Sequence, residues 1–239
     1  AYEAIYNQDS YKPNRKYAMF FECRELPRER ELYRKVLSDI SVLKEYSAVF
    51  TNQDMFLEAL SNGYYVPSCT TWIDTEFGGK AYSIKDRNIS LVSSEKDWCE
   101  LHRVRKALAT KYDRGNIVDC FGTFNGKEWV KCSNYLSRYR YHIVIENQVS
   151  NGYFTEKITN CFAARTVPIY LGAPDIGNYF NLDGIIQVKN FENIDDILKQ
   201  CCEDDYESRK VAVEDNYMRG KAYLSTEDYI IDNYEYLFK

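Results

Sequence analysis

Histidine is almost missing from this chain: only His102 and His142 occur among 239 residues. With so few imidazoles, and no C-x-x-C pair among the eight cysteines, a structural zinc site is not expected. No run approaches the ~18 consecutive apolar residues a membrane-spanning helix needs. An excess of positive charge is missing too. Lysine and arginine total 31 against 36 acidic residues, a net charge of −5, which argues against a general nucleic-acid binder and leaves only a local basic groove open. Internal repeats and low-complexity linkers are absent.

What is present is ordinary in bulk: 45% apolar and 28% charged residues, the make-up of a globular protein. At roughly 150 residues per domain the length gives about 1.6 domains, one large or two small. A core of that size needs no disulfide or metal staple. Nothing resembling a signal peptide stands out, and several cysteines fall in apolar periodic runs, so they are expected to be reduced thiols in a cytosol-like compartment. Tyrosine is unusually common, at 22 residues. A ring with a polar tip suits wet clefts, although biased codon usage would give the same count.

Short apolar runs alternate with amphipathic stretches along the chain. The runs lie at 17–21, 47–50, 64–66, 89–92, 117–121, 141–145, 167–171 and 185–188, with helical patterns near 28–40, 53–61, 98–111, 155–165 and 192–203. Such alternation predicts an α/β protein with mostly parallel sheets. The acidic, tyrosine-rich tail at about 205–238 reads as two further helices. Ligands bind such sheets beyond the carboxyl ends of the strands. The residues found there are Glu22, Thr51, Asn52, Ser93, Ser94, Gly122, Glu146, Asn147 and Gly172.

The densest segment runs from Tyr141 to Pro174 and reads as a β-loop-α-β unit. Thr155 is placed as a helix N-cap, with Glu156 in the first turn where the helix dipole favours it. Ile158, Cys161 and Phe162 share one helical face. A helix N-terminus facing a crevice is a ready anion site, and Lys157 adds a cation there. Tyr153 supplies a ring and a hydroxyl, and Glu156 could accept from sugar hydroxyls. These parts suit a nucleotide-sugar; the alternative is a helix cap beside a solvated lysine.

Glu146-Asn147, Gly152-Tyr153, Thr155-Glu156-Lys157 and the stretch Val167 to Gly172 resemble the signature of the α-1,3-fucosyltransferase family. Phe191 to Asp196 and Gly220 to Tyr223 are similar to further family segments. The resemblance implies a GT-B-like α/β architecture of two Rossmann-like domains: a shortened acceptor-side domain over residues 1–82 and a donor domain with C-terminal helices over 83–239. It implies inverting transfer of L-fucose from GDP-β-L-fucose to a glycan hydroxyl, with no metal or further cofactor; no Asp-x-Asp triplet occurs. Carried over, Asn147, Tyr153, Glu156 and Lys157 would contact the donor, Lys157 facing the diphosphate. Arg103 resembles the family's phosphate-binding arginine on the helix after Ser93-Ser94, with Arg105 as the alternative. Glu146, Ser93 and Gly172 are further candidates. Glu22, at the end of the strand Met19-Phe20-Phe21, resembles the family's catalytic base, with Glu25 its competitor.

The match is close over the C-terminal two-thirds and loose over 17–67. Ile145 and Gln148 replace the usual Phe and Ser around Glu-Asn, and the tryptophan-rich opening of many bacterial members is missing. The expected partners are a nucleotide-sugar and a glycan. A bacterial or viral-host cytosolic setting, with peripheral membrane contact open, fits better than the Golgi lumen. Another GDP-sugar, or a non-catalytic binding module, are the other readings.

Overall fold

The computed structural model describes residues 15–68, 70–73 and 84–239. The boundary expected between 82 and 83, and Cys69, lie outside the described residues.

A first parallel sheet has the order β1-β2-β3, from β1 (Tyr17–Phe20), β2 (Ala48–Thr51) and β3 (Gly63–Tyr65). Between them run α1 (Pro27–Ser38), the single turn α2 (Ser41–Lys44) and α3 (Asp54–Ala59). Proline at the start of α1 suits a position whose N–H has no helical partner. One face of the sheet packs Phe20, Tyr33 and Phe56, ring centroids 4.8–5.7 Å apart, with Val36, Leu43, Val49 and Leu60.

All four residues of β2 are buried because the opposite face is covered as well. The cover is the end of the chain. Ile230 of α10 (Thr226–Tyr234) packs on Ala48, Phe50 and Val66, with Tyr234 and Leu237 beside them. Tyrosines suit this seam, ring inward and hydroxyl on a carbonyl: Tyr17 donates to Leu237 O at 2.8 Å and Tyr234 to Tyr65 O at 2.6 Å.

The second sheet is also parallel, in the order β5-β4-β6-β7-β8. Its elements are β4 (Arg87–Val92), α4 (Glu100–Tyr112), β5 (Asp119–Phe121), α5 (Cys132–Leu136), β6 (Tyr139–Ile145), α6 (Glu156–Ala163), β7 (Val167–Leu171) and β8 (Ile186–Gln187). Every residue of β6 and β7 is buried, as strands covered on both faces require. From β4 the chain moves outward to β5, then crosses back to place β6 on the other side of β4. The strand order therefore reverses between β4 and β6, and the crevice beyond their carboxyl ends is where such sheets take ligands.

The helix expected near 192–203 is α7 (Ile194–Gln200), and the tail expected as two helices forms three, α8 (Glu203–Ser208), α9 (Lys210–Gly220) and α10. The helix expected over 192–203 breaks after Gln200 because the sheet binds the next two carbonyls. Asn88 Nδ2 donates to Cys201 O at 2.7 Å and Tyr141 OH to Cys202 O at 3.0 Å. The seven described cysteines are free thiols. No helix among the described residues is long and apolar enough to cross a membrane.

The sheets meet through a buried, uncharged polar chain. Gln148, just past β6, accepts from Arg24 N at 2.7 Å and donates to Gln53 at 3.2 Å and Ser150 at 2.8 Å. Tyr65 OH reaches Gly152 O at 2.9 Å. Gly152 has φ +68°, and a Cβ there would lie 2.7 Å from the Tyr65 ring, so glycine is required twice over.

Candidate functional site

A cleft of about 680 Å³ opens where the strand order reverses, the size of a small-molecule site. Ser93 and Ser94, after β4, line one side; Asn147, after β6, and Glu156, Lys157 and Asn160 of α6 line another. Thr155 caps α6, its Oγ1 accepting from Lys157 N at 3.4 Å. The same hydroxyl donates to Glu146, whose carboxylate is 0% exposed and also accepts from Thr155 N at 2.9 Å. Lys157 Nζ is held 3.1 Å from Glu146, 3.4 Å from Glu156 and 2.9 Å from Thr155 Oγ1. Burial works against this ammonium, but Glu146 and Glu156 outweigh it, so its pKa rises. A protonated lysine thus sits at a helix N-terminus in the cleft.

Glu146 has room only because residue 172 is glycine. A Cβ there would lie 2.7 Å from Glu146 Cγ and 2.2 Å from Tyr170 OH. Gly172 and Glu146 therefore build the site from behind; neither lines the cleft.

Of the two arginines considered for the phosphates, Arg105 lines the cleft and Arg103 does not. Arg103 is exposed and donates to Asp97 O at 3.0 Å, away from the cleft. Arg105 lines the cleft and donates to Ile145 O, to Glu146 O at 3.4 Å and to Asn147 Oδ1 at 3.1 Å. The helical phase decides this: Leu101, Arg105 and Leu108 fall on one face by the i, i+4, i+7 spacing, and Arg103 on the other. Burial lowers the Arg105 pKa, opposed by Glu146.

Asn147 Oδ1 also meets His102 Nε2 at 3.1 Å. Because Arg105 can only donate, this oxygen is the acceptor and His102 carries its proton on Nε2. Its Nδ1 is left as a buried acceptor without a partner among the described residues. Burial, helped by Arg105, pulls the His102 pKa down to about 4, so the ring is neutral near pH 7.

Tyr153 is buried, 2% exposed, and lies outside the cleft lining. Burial raises its pKa first; Glu146, Cys23, Glu156 and Glu22 add to the effect. Glu22 follows the end of β1 with an exposed side chain. Its backbone oxygen is fixed by Tyr33 OH at 2.9 Å and Gln53 Nε2 at 3.1 Å. It lies outside the cleft lining, two residues before Arg24, whose N–H meets Gln148 at the seam. Glu25 is tied to Arg30 at 3.0 Å. Of the two carboxylates, Glu22 is the one not engaged in an ion pair among the described residues.

Sequence reasoning missed Lys96 and Lys131, which also line the cleft. Lys96 follows Ser93-Ser94 in the loop after β4, so the strand-end argument could have found it. Among the described residues four cations and one carboxylate thus face the cleft of a chain whose net charge is −5. The arrangement attracts an anion and can donate charge-assisted hydrogen bonds to phosphate oxygens. Missed as well are Trp72, Trp129 and His142, which line its less polar part. Among the described residues no group of three or more His, Cys, Asp or Glu side chains is placed to hold a metal ion.

A family model described as glycosyltransferase family 10 (fucosyltransferase), C-terminal part, matches residues 83–209, just over half of the chain. The chain belongs to glycosyltransferase family 10. The α-(1,3)-fucosyltransferase FucT of Helicobacter pylori is 35% identical over 66 residues, 28% of this chain and 14% of that protein. The 4-galactosyl-N-acetylglucosaminide 3-α-L-fucosyltransferase 9 of Mus musculus is 30% identical over 102 residues, 42% of this chain and 24% of that protein. The family 10 chain thus spans a quarter or less of these relatives. A crystal structure of an α1,3-fucosyltransferase superposes with a TM-score of 0.54 at 17% identity, over 82% of this chain and 70% of that one. The likeness is one of fold: two parallel-sheet α/β units, as in GT-B proteins.

Proposed function

We propose that this family 10 chain transfers L-fucose from GDP-β-L-fucose to a hydroxyl of a glycan, with inversion at the anomeric carbon and no further cofactor. The observation that carries the reading is Lys157, charged and fixed at the α6 N-terminus, opposite Arg105 in a cationic cleft at the strand reversal. There the diphosphate would meet Lys157, Arg105 and the helix dipole. The same donors would stabilise the charge that builds on GDP as the glycosidic bond breaks. Glu156, beside Lys157, would accept from a hydroxyl of the donor. Glu22 would take the proton from the acceptor hydroxyl as that oxygen attacks from the face opposite the departing GDP. Its position at the end of β1 suits a base reached from the acceptor side.

The test is a panel of GDP-sugars read by thermal shift, followed by GDP release with candidate glycan acceptors. GDP-fucose is expected to stabilise the protein and to be turned over when acceptor is added. Glu22→Gln is expected to abolish turnover and leave GDP binding nearly intact; near-normal turnover in that variant refutes the assignment. Stabilisation by another GDP-sugar in preference to GDP-fucose refutes the choice of sugar.

A further inference from the structure

The four residues after β1, 21–24, form no regular element, and side chains hold their backbone where a sheet partner no longer does. Asn52 Nδ2 and Ser68 Oγ both donate to Phe21 O at 3.3 Å. Tyr33 OH and Gln53 Nε2 donate to Glu22 O at 2.9 and 3.1 Å. Cys23 O accepts from Leu26 N at 3.2 Å. Arg24 N donates to Gln148 Oε1 at 2.7 Å. All but one of these partners belong to the first α/β unit. The exception among them is Gln148, which comes from the second unit, just past β6.

The amides used here are deeply buried: Asn52 and Gln53 are 0% exposed and Gln148 2%. Such side chains are normally left in water, and burying them is unfavourable unless each polar atom is bonded. A segment that merely joined β1 to α1 could run over the surface and bond to solvent. Here Gln148 reaches the Glu22 segment by two routes. One is direct, at Arg24 N. The other runs through Gln53, whose Oε1 accepts from Gln148 Nε2 at 3.2 Å while its Nε2 donates to Glu22 O. Ser150 Oγ holds the same Gln148 amide at 2.8 Å. The residue before Gln148 is Asn147, which lines the cleft and accepts from Arg105 at 3.1 Å. Asn147 O accepts in turn from Cys99 Sγ at the start of α4, at 3.5 Å. Two consecutive residues thus serve the two sides, one in the donor cleft and one on the backbone of Glu22.

We infer that Gln148 is a positioning residue for the transfer step: it sets the span between the Glu22 carboxylate and the donor cleft. The inference rests on the reading of Glu22 as the base and adds how that base is held against a donor bound on the other unit. The acceptor oxygen must meet the base and the anomeric carbon together, and the two units supply one each. A misplacement of about 1 Å at such a point can lower the rate about 100-fold. The Glu22 side chain is exposed, so its place is set through its backbone, which is where the bonds converge. An amide makes this tie without adding a charge beside the carboxylate.

Steady-state release of GDP from GDP-fucose, with the acceptor panel and with water as acceptor, tests this beside calorimetric titration of GDP. Gln148→Met keeps the length of the side chain and removes both polar atoms. Its kcat is expected to fall about 10-fold or more, with KM for GDP-fucose and GDP affinity within about 2-fold of wild type. Gln53→Met cuts the second route and should lower kcat in the same way. Gln148→Glu keeps an acceptor for Arg24 N, loses the donor to Gln53, and should fall between wild type and Gln148→Met. Amide hydrogen exchange adds a reading that needs no turnover. In Gln148→Met the Arg24 N–H should exchange faster by about 10-fold or more, while the amides of β6 keep their wild-type protection. With Glu22→Gln inactive, a kcat within about 2-fold of wild type in both Met variants overturns the inference and leaves the base reading standing. So does an equal loss of kcat and GDP affinity, or a loss of β6 protection, either of which makes Gln148 a support of the fold alone. Near-normal turnover in Glu22→Gln, or no GDP release by the wild type, refutes the base reading itself, and the inference falls with it.

Discussion

Glu146→Gln perturbs the point on which the site depends. The carboxylate is fully buried, accepts from Thr155 N and Oγ1, and faces Lys157 Nζ at 3.1 Å. An amide of the same shape turns its NH₂ toward either Lys157 Nζ or Thr155 N, which only donate, and leaves Lys157 without its buried counter-charge. Removing one partner of a buried ion pair costs roughly 3–5 kcal/mol. For a domain of this size each kcal/mol moves Tm by about 2–4 °C, so the expected fall is about 6–20 °C. Differential scanning calorimetry at pH 7 measures it. The double variant Glu146→Gln/Lys157→Met removes both charges and should recover at least half of the loss, because the penalty is an unpaired charge and not a missing shape. A fall below about 2 °C, or a double variant no better than the single one, would refute the reasoning.

Gly172→Ala should destabilise the protein and disturb Lys157 together, since its Cβ lands on Tyr170 OH and Glu146 Cγ; lower Tm with weaker GDP binding is the expected pair of readings. Arg105→Ala should weaken GDP binding by about 10-fold or more, from the loss of a charge-assisted hydrogen bond, whereas Arg103→Ala should leave it unchanged in the same titration. Stability should fall as pH drops below about 6.5. Folded His102 and His142 resist protonation down to about 4 and about 3, whereas the unfolded rings take protons near 6.5. Between roughly pH 4.5 and 6 the unfolded chain therefore binds up to two more protons, a slope of up to about 2.7 kcal/mol per pH unit. Urea midpoints measured across this range should show the slope, and His142→Phe should reduce it.

The strands were legible because each is a short apolar run, and eight such runs correspond to β1 through β8. The Lys157 end of the cleft was legible for the same local reason: cap, first-turn acid and cation lie within three residues of Thr155. Arg105 was open to the same logic, and the phase of α4 distinguishes it from Arg103. Tyr153 shows what local pattern leaves open: the turn at Gly152 leads its ring into the interior, and no periodicity in the sequence marks that burial. The less polar part of the cleft could not be read locally. Trp72 and Trp129 come from irregular segments with no periodicity, and only the tertiary fold brings them to one cleft. The return of Ile230 and Tyr234 onto the first sheet is a contact across most of the chain, equally invisible to local pattern. The single turns α2 and α5 are too short for helical periodicity to register.

The most direct measurement is a calorimetric titration of GDP into wild-type protein and into Lys157→Met, a variant that keeps the length of the side chain and removes its charge. The account predicts saturable one-to-one binding to the wild type and an affinity lower by about 10-fold or more in the variant. Absence of GDP binding to the folded wild type, or equal affinity in the two proteins, would contradict it.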